Sequence, residues 1–284
     1  MRKLIHFGCS FAVGNSVPEY TPGLKSGAYI HLATKQTTVN CGKVLAEKFN
    51  FEYDLMAENG ASNEMIFRKL QHADIGDSLV LIGITSDNRR EALTTKRRNT
   101  HWHTWKMVPP QSARRYKDIV FDPWGDEFTP AIEEEGQIRT VLQILYMQSY
   151  LKLHKTPYLF YNSLHNNLQK PLTNECETLL TKVDQKHFYK LQGSFNETQH
   201  GWCLQKNLIV SEHDEHPNVL GQKAWADLLE PMVEKILNAD YKINELEIQI
   251  FNNLCRIIMN SSNNIQSNAH LISKIDIFSS LAYL

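Results

Sequence analysis

The stretch Ser78 to Ile84, S-L-V-L-I-G-I, constrains the fold more than any other. An uncharged run without polar alternation fits a strand buried on both faces, as in a parallel sheet covered by helices on each side. Shorter apolar runs at Lys3 to Phe7 and Pro157 to Asn162 read as further strands, as does the loosely alternating Phe51 to Ala57, and a weak final strand is expected near Leu204 to Val210. Helical spacing falls between them. Asn40 to Asn50 places Val44, Leu45 and Phe49 on one face behind an Asn cap, and Ser62-Asn63 precedes Glu64 to His72 with its stripe of Ile66, Phe67 and Leu70. Gln137 to Lys155, Asn174 to Asp184 and Gly221 to Asn238 are the other expected helices, with Pro231 placed to bend the last. This alternation predicts an α/β domain with right-handed crossovers.

At 284 residues the chain is long enough for one large domain and an appendage. The expected division is a core domain over 1–239, interrupted by a long loop insertion at about 87–135, and a helical extension over 240–284. The extension has Ile243, Leu246, Ile250, Leu254, Ile257 and Ile258 near helical spacing, then a polar N-S-S-N-N-I-Q-S-N linker, then apolar residues to Leu284. Self-association through this tail is an expected partnership. A formal charge of −1 gives no electrostatic case for nucleic acid or an anionic membrane surface. Five irregularly spaced cysteines read as reduced thiols. The opening M-R-K-L-I-H-F-G-C has too short an apolar segment for a signal peptide and reads as the first strand, so a cytoplasmic location is expected.

In parallel α/β folds, ligands bind beyond the carboxyl ends of the strands. The chemistry-bearing residues gather there: Gly8-Cys9-Ser10, then Asn59-Gly60-Ala61-Ser62-Asn63, then Thr85 to Arg89, and finally Glu212 to Pro217. Ester hydrolysis through a covalent intermediate needs a nucleophile, a base, a group that orients the base, and donors for the oxyanion. Ser10, His216 and Asp214 can fill the first three roles, and the amides of Ser10 and Gly60 the fourth. Glu212, His213 or a backbone carbonyl competes with Asp214 as the orienting group.

The blocks G-C-S-F-A-V-G, N-G-A-S-N and D-E-H-P-N-V-L-G resemble the first, second and last blocks of the SGNH/GDSL hydrolases, over roughly residues 3 to 238. That resemblance implies a flavodoxin-like three-layer sandwich with a five-stranded parallel sheet. It also implies a serine esterase with Ser10 as nucleophile, His216 and Asp214 completing the triad, Gly60 in the oxyanion hole, and no cofactor. Two departures stand out. Cys9 replaces the usual Asp, and the third block reads G-I-T-S-D-N-R-R-E without the Asn that completes the family's oxyanion hole. Asn63, Ser86 or Asn88 is the expected substitute donor. Losing such a donor costs roughly two to three orders of magnitude in rate.

The implied substrate is an O-acyl or O-acetyl ester of a carbohydrate or other small molecule. Arg89 is a candidate for holding a substrate carboxylate or hydroxyls, or for clamping its loop through Glu91, the ion pair being the plainer reading. Trp102 and Trp105 are candidate substrate-facing aromatics. Rival chemistries are weaker. Cys9 between apolar neighbours reads as a small hydrophobe under the turn, and the His213–His216 and His101–His103 clusters lack a second ligand group at metal-site spacing. The alternative of another class is a non-catalytic SGNH-fold protein that binds glycan or protein and assembles through its tail.

Overall fold

A computed structural model describes residues 2–14, 39–87, 89–96, 99–106, 129–165 and 168–282. The elements in order are β1 (Lys3–Phe7), α1 (Ser10–Val13), α2 (Cys41–Lys48), β2 (Glu52–Leu55), α3 (Asn63–His72), β3 (Ser78–Ile84), β4 (Arg89–Lys96), β5 (Asn99–Lys106), α4 (Thr129–Leu153), β6 (Tyr158–Asn162), α5 (Asn174–Leu180), β7 (Phe188–Tyr189), α6 (Gln199–Gln205), β8 (Ile209–Ser211), β9 (Asp214–Pro217) and α7 (Val219–Ala282). Five strands form a parallel sheet in the order β2-β1-β3-β6-β7. This is the flavodoxin-like order, in which the chain reverses direction across the sheet beside β1 and leaves a crevice at its carboxyl end.

Every residue of β3 is buried, as its uniform composition requires. On one face, Ile5, Phe7, Val80, Ile82 and Phe160 pack with Ile66 and Leu70 of α3, Val141, Ile144 and Met147 of α4, and Cys176 and Leu180 of α5. On the other face, Tyr161 meets the fully buried Trp225 of α7 at 6.0 Å between ring centroids, and Cys41 of α2 lies 3.7 Å from the Tyr161 hydroxyl. Helices therefore cover both faces of the sheet.

His6 sits on this second face, fully buried, with Nε2 2.9 Å from the Tyr161 hydroxyl and Nδ1 3.3 Å from that of Tyr53. The Tyr53 hydroxyl donates to Asn40 Oδ1 at 2.7 Å, and the same oxygen caps α2 by accepting the Lys43 N–H. Burial pushes the His6 ring from 6.5 down to about 4, with the Asn40 side chain acting the other way. A depressed folded-state value means that the stability carried by neutral His6 is complete above pH 6.5 and is lost as pH falls toward 4. The loss is about 3 kcal/mol. Urea denaturation at pH 7.5 and pH 4.5 is expected to show a drop of that order in the wild type and a smaller drop in His6→Gln. Equal drops in the two proteins would assign the acid sensitivity elsewhere.

Several expectations from the sequence need correction. The fifth sheet strand is the two-residue β7, whereas Ile209–Ser211 pairs antiparallel with Asp214–Pro217 in a separate hairpin. Residues 89–96 and 99–106 pair antiparallel as β4 and β5, where irregular loop was expected. Helix α4 starts at Thr129, because Pro130 sits in its first turn, where a missing N–H costs nothing. The polar segment 260–268 is no linker, since α7 runs through both it and Pro231.

The chain divides into two compact units, Met1–Ile236 and Leu237–Leu284. The second unit is the helical continuation of α7. Its exposed apolar side chains include Ile243, Ile250, Ile257, Leu271 and Phe278, at intervals of seven or fourteen residues. A seven-residue recurrence keeps one seam of a helix facing a supercoiled partner. No described helix is long and apolar enough to cross a membrane.

Candidate active site

β1 delivers the chain at its carboxyl end into a tight turn. A Cβ on Gly8 would lie 2.6 Å from the Ala12 Cβ, so only glycine lets the strand fold directly into α1. Cys9 is the N-cap, fully buried within the core cluster, and Ser10 is the first helical residue. An amide in a first helical turn has no intrahelical acceptor, which leaves the Ser10 N–H available as a donor. Gln222 of α7 ties this turn in place. Its Nε2 donates to the Phe11 carbonyl at 2.9 Å, and its Oε1 accepts the Cys41 N–H at 3.0 Å and Gln199 Nε2 at 3.1 Å.

The opposing residues come from the β8–β9 hairpin. Ser211 Oγ accepts the N–H groups of His213 and Asp214, closing the turn. Asn218 then caps α7 through the Gly221 N–H and donates to the Ile209 carbonyl, fixing the hairpin to the helix start. On β9, His216 Nδ1 lies 2.6 Å from Asp214 Oδ1, and His216 Nε2 lies 2.8 Å from Ser10 Oγ. Asp214 Oδ1 also accepts the His216 amide at 3.2 Å. Partial burial works against the Asp214 charge, but its hydrogen bonds with the His216 ring and amide hold the carboxyl below its usual range. With a carboxylate at Nδ1, the ring proton belongs on Nδ1, and Nε2 is free to accept the Ser10 hydroxyl proton. The Phe11 ring lies against the imidazole, centroids 4.7 Å apart.

These groups open onto a cleft of about 470 Å³. Ser10, His216, Asp214, Gly60 and Arg89 all line it, as do Glu212 and His213. Gly60 has φ +76, and a Cβ there would meet nothing within 4 Å, so its side of the turn stays open. Asn63 is turned to another task. Its Oδ1 accepts the Thr85 N–H at 3.0 Å and its Nδ2 donates to the Thr85 carbonyl at 3.3 Å, clamping α3 to the end of β3. Ser86 sits at the turn into β4, where its carbonyl accepts the Arg89 N–H at 3.3 Å, and it is not among the residues lining the cleft. Asn88 lies outside the described residues, and Trp102 and Trp105 fall on β5 opposite Leu93 and Arg90.

Glu91 does not pair with Arg89. Both oxygens of its carboxylate are taken by Arg68, at 3.1 Å from Nε and 2.5 Å from Nη2. Residues to which the sequence reading gave no role also line the cleft: Asn59, Phe11, Leu164, and His200, whose Nε2 is 2.7 Å from Glu215 Oε2. Adjacency to Gly60 and Ser10 was the available signal for Asn59 and Phe11. No spacing rule points to His200. Among the described residues, no three His, Cys, Asp or Glu side chains gather as a metal site.

No protein-family model and no curated protein sequence matches the chain. Solved structures do. A carbohydrate esterase matches at 14% identity and TM-score 0.44, over 82% of this chain and 65% of that one. An acetyl xylan esterase from the rumen bacterium Butyrivibrio proteoclasticus matches at 12% identity and TM-score 0.38, over 82% and 64%. A lipolytic protein of the G-D-S-L family from Desulfitobacterium hafniense matches at 12% identity and TM-score 0.36, over 83% and 99%. The chain thus spans just under two thirds of the first two. The solved structures it resembles include carbohydrate and acetyl xylan esterases and a G-D-S-L family protein, each a distant likeness.

Proposed function

We propose that the protein is a serine esterase acting on an O-acyl or O-acetyl ester of a carbohydrate or another small molecule. The observation that carries this reading is the hydrogen-bonded line from Ser10 Oγ through His216 to Asp214 at the mouth of a cleft. Ser10 Oγ attacks the acyl carbon as its proton passes to His216 Nε2. The oxyanion that forms is met by the amides of Ser10 and Gly60. Collapse breaks the ester C–O bond, and the departing alcohol takes the proton from Nε2. Water then attacks the acyl-serine, giving its proton to His216. The second collapse returns that proton to Ser10 and releases the carboxylic acid. Asp214 holds the ring in the required tautomer and stabilises the imidazolium in both halves.

A cleft of this size admits a short acyl chain with part of its alcohol. The test is hydrolysis of 4-nitrophenyl acetate and release of acetate from acetylated sugars. Turnover well above buffer is expected. A wild-type rate equal to that of buffer on every ester in the panel would overturn the reading.

The tail is assigned a role on a separate observation. We propose that the helix of the second unit pairs in parallel with the same helix of a second copy. The seven-residue recurrence through Ile243, Ile250, Ile257, Leu271 and Phe278 carries Asn264 at its polar break, and parallel self-pairing sets Asn264 against its own counterpart. A polar residue there fixes register and partner at some cost in stability. Light scattering is expected to give a dimer mass for the full chain and a monomer mass for the double variant Ile250→Asp, Ile257→Asp. A monomeric wild type at tens of micromolar would exclude the pairing.

A further inference from the structure

Arg89 is 8% exposed and opens β4 immediately beyond the carboxyl end of β3. Its guanidinium reaches back to the Gly60–Ala61 turn, where Nη1 donates to the Ala61 carbonyl at 3.2 Å. It lines the same cleft as Ser10 and His216. No carboxylate pairs with it among the described residues. The acidic groups around the cleft and its neighbouring helices are engaged elsewhere: Glu91 with Arg68, Glu64 with Arg139, Glu58 with Lys69, Asp214 with His216 and Glu215 with His200. Glu212 also lines the cleft. A cation held largely out of water without a counter-ion is expensive. Among the described residues its side-chain acceptor is a neutral carbonyl, which leaves the remaining N–H groups for a ligand.

We propose that Arg89 is a specificity residue that binds a carboxylate on the substrate, so that the preferred ester carries a free carboxylate in its acyl chain. The guanidinium fork suits such a group, since it donates two parallel hydrogen bonds to one planar anion. The kinetic part of this proposal rests on the esterase reading. The binding part does not, because it needs only the cleft and Arg89.

Two measurements test it together. Calorimetric titration of the Ser10→Ala protein with adipate and with neutral adipamide is expected to show at least tenfold tighter binding of adipate, lost in Ser10→Ala, Arg89→Gln. In the Ser10 protein, mono-4-nitrophenyl adipate is expected to exceed 4-nitrophenyl hexanoate at least tenfold in kcat/KM. That preference is carried by KM, disappears in Arg89→Gln and is partly kept in Arg89→Lys. Equal binding of adipate and adipamide would overturn the proposal. So would a loss in Arg89→Gln that falls equally on kcat for both esters, which would make Arg89 an oxyanion donor instead. If neither ester is hydrolysed while adipate still binds through Arg89, the carboxylate site stands and the esterase reading fails.

Discussion

Ser10→Ala is expected to lower ester hydrolysis by roughly 10⁴- to 10⁶-fold while leaving the melting temperature near that of the wild type. The Ser10 hydroxyl touches His216 Nε2 at 2.8 Å and faces the cleft, so its removal deletes the attacking atom without opening a core cavity. His216→Ala is expected to cost a similar factor, and the double variant little more than either single one. Groups that act on one proton in one step are not additive. Residual catalysis in all three comes from the oxyanion donors and substrate binding. The check is kcat on 4-nitrophenyl acetate for the three variants beside the wild type. A fall of less than tenfold in Ser10→Ala would place the nucleophile elsewhere. Cys9, one residue away, is a poor substitute because its thiol is fully buried in the core cluster.

Asp214→Asn is expected to reduce kcat by about 10⁴-fold with KM little changed. The Asp214 carboxylate accepts from the His216 ring and from its backbone amide, so the substitution attacks both the tautomer and the position of the imidazole. An amide nitrogen turned toward Nδ1 would force the ring proton onto Nε2, which then cannot accept from Ser10. Steady-state kinetics over pH 5 to 9 check this. A loss below tenfold would mean that the ring is oriented by something else. Glu215 is not free to serve, being engaged with His200. Stability separates the two roles of Asp214, since a merely structural carboxylate would lower the melting temperature and leave kcat largely intact.

The sheet was legible because β3 is uncharged, apolar from Leu79 onward and buried at every position, which leaves one architecture open to it. The placement of Ser10, Gly60, Asp214 and His216 around one cleft followed from reading the residues at the strand ends. The edge of the sheet was harder. β7 has two residues, too few for any period to show, whereas Ile209–Ser211 has strand composition but pairs with β9 outside the sheet. Helix α7 crosses Pro231 and the Asn-rich stretch near 260, where local propensity is a weak guide. Side-chain commitments were the least legible. Nothing in the spacing of Asn63, Arg68 or Arg89 says that the first clamps Thr85, the second takes Glu91, and the third is left facing the cleft. Gln222, which fastens the nucleophile turn to α2 and α6, lies 211 residues from its Phe11 acceptor.

The central claim is that Ser10 is an activated nucleophile, and covalent labelling tests it without knowledge of the substrate. Purified wild type, Ser10→Ala and His216→Ala are treated with a fluorophosphonate probe and read by intact mass. One adduct on the wild type, none on Ser10→Ala and little or none on His216→Ala is the predicted result. A wild type that stays unlabelled where a control serine hydrolase reacts fully, or a Ser10→Ala protein that labels as the wild type does, would contradict it.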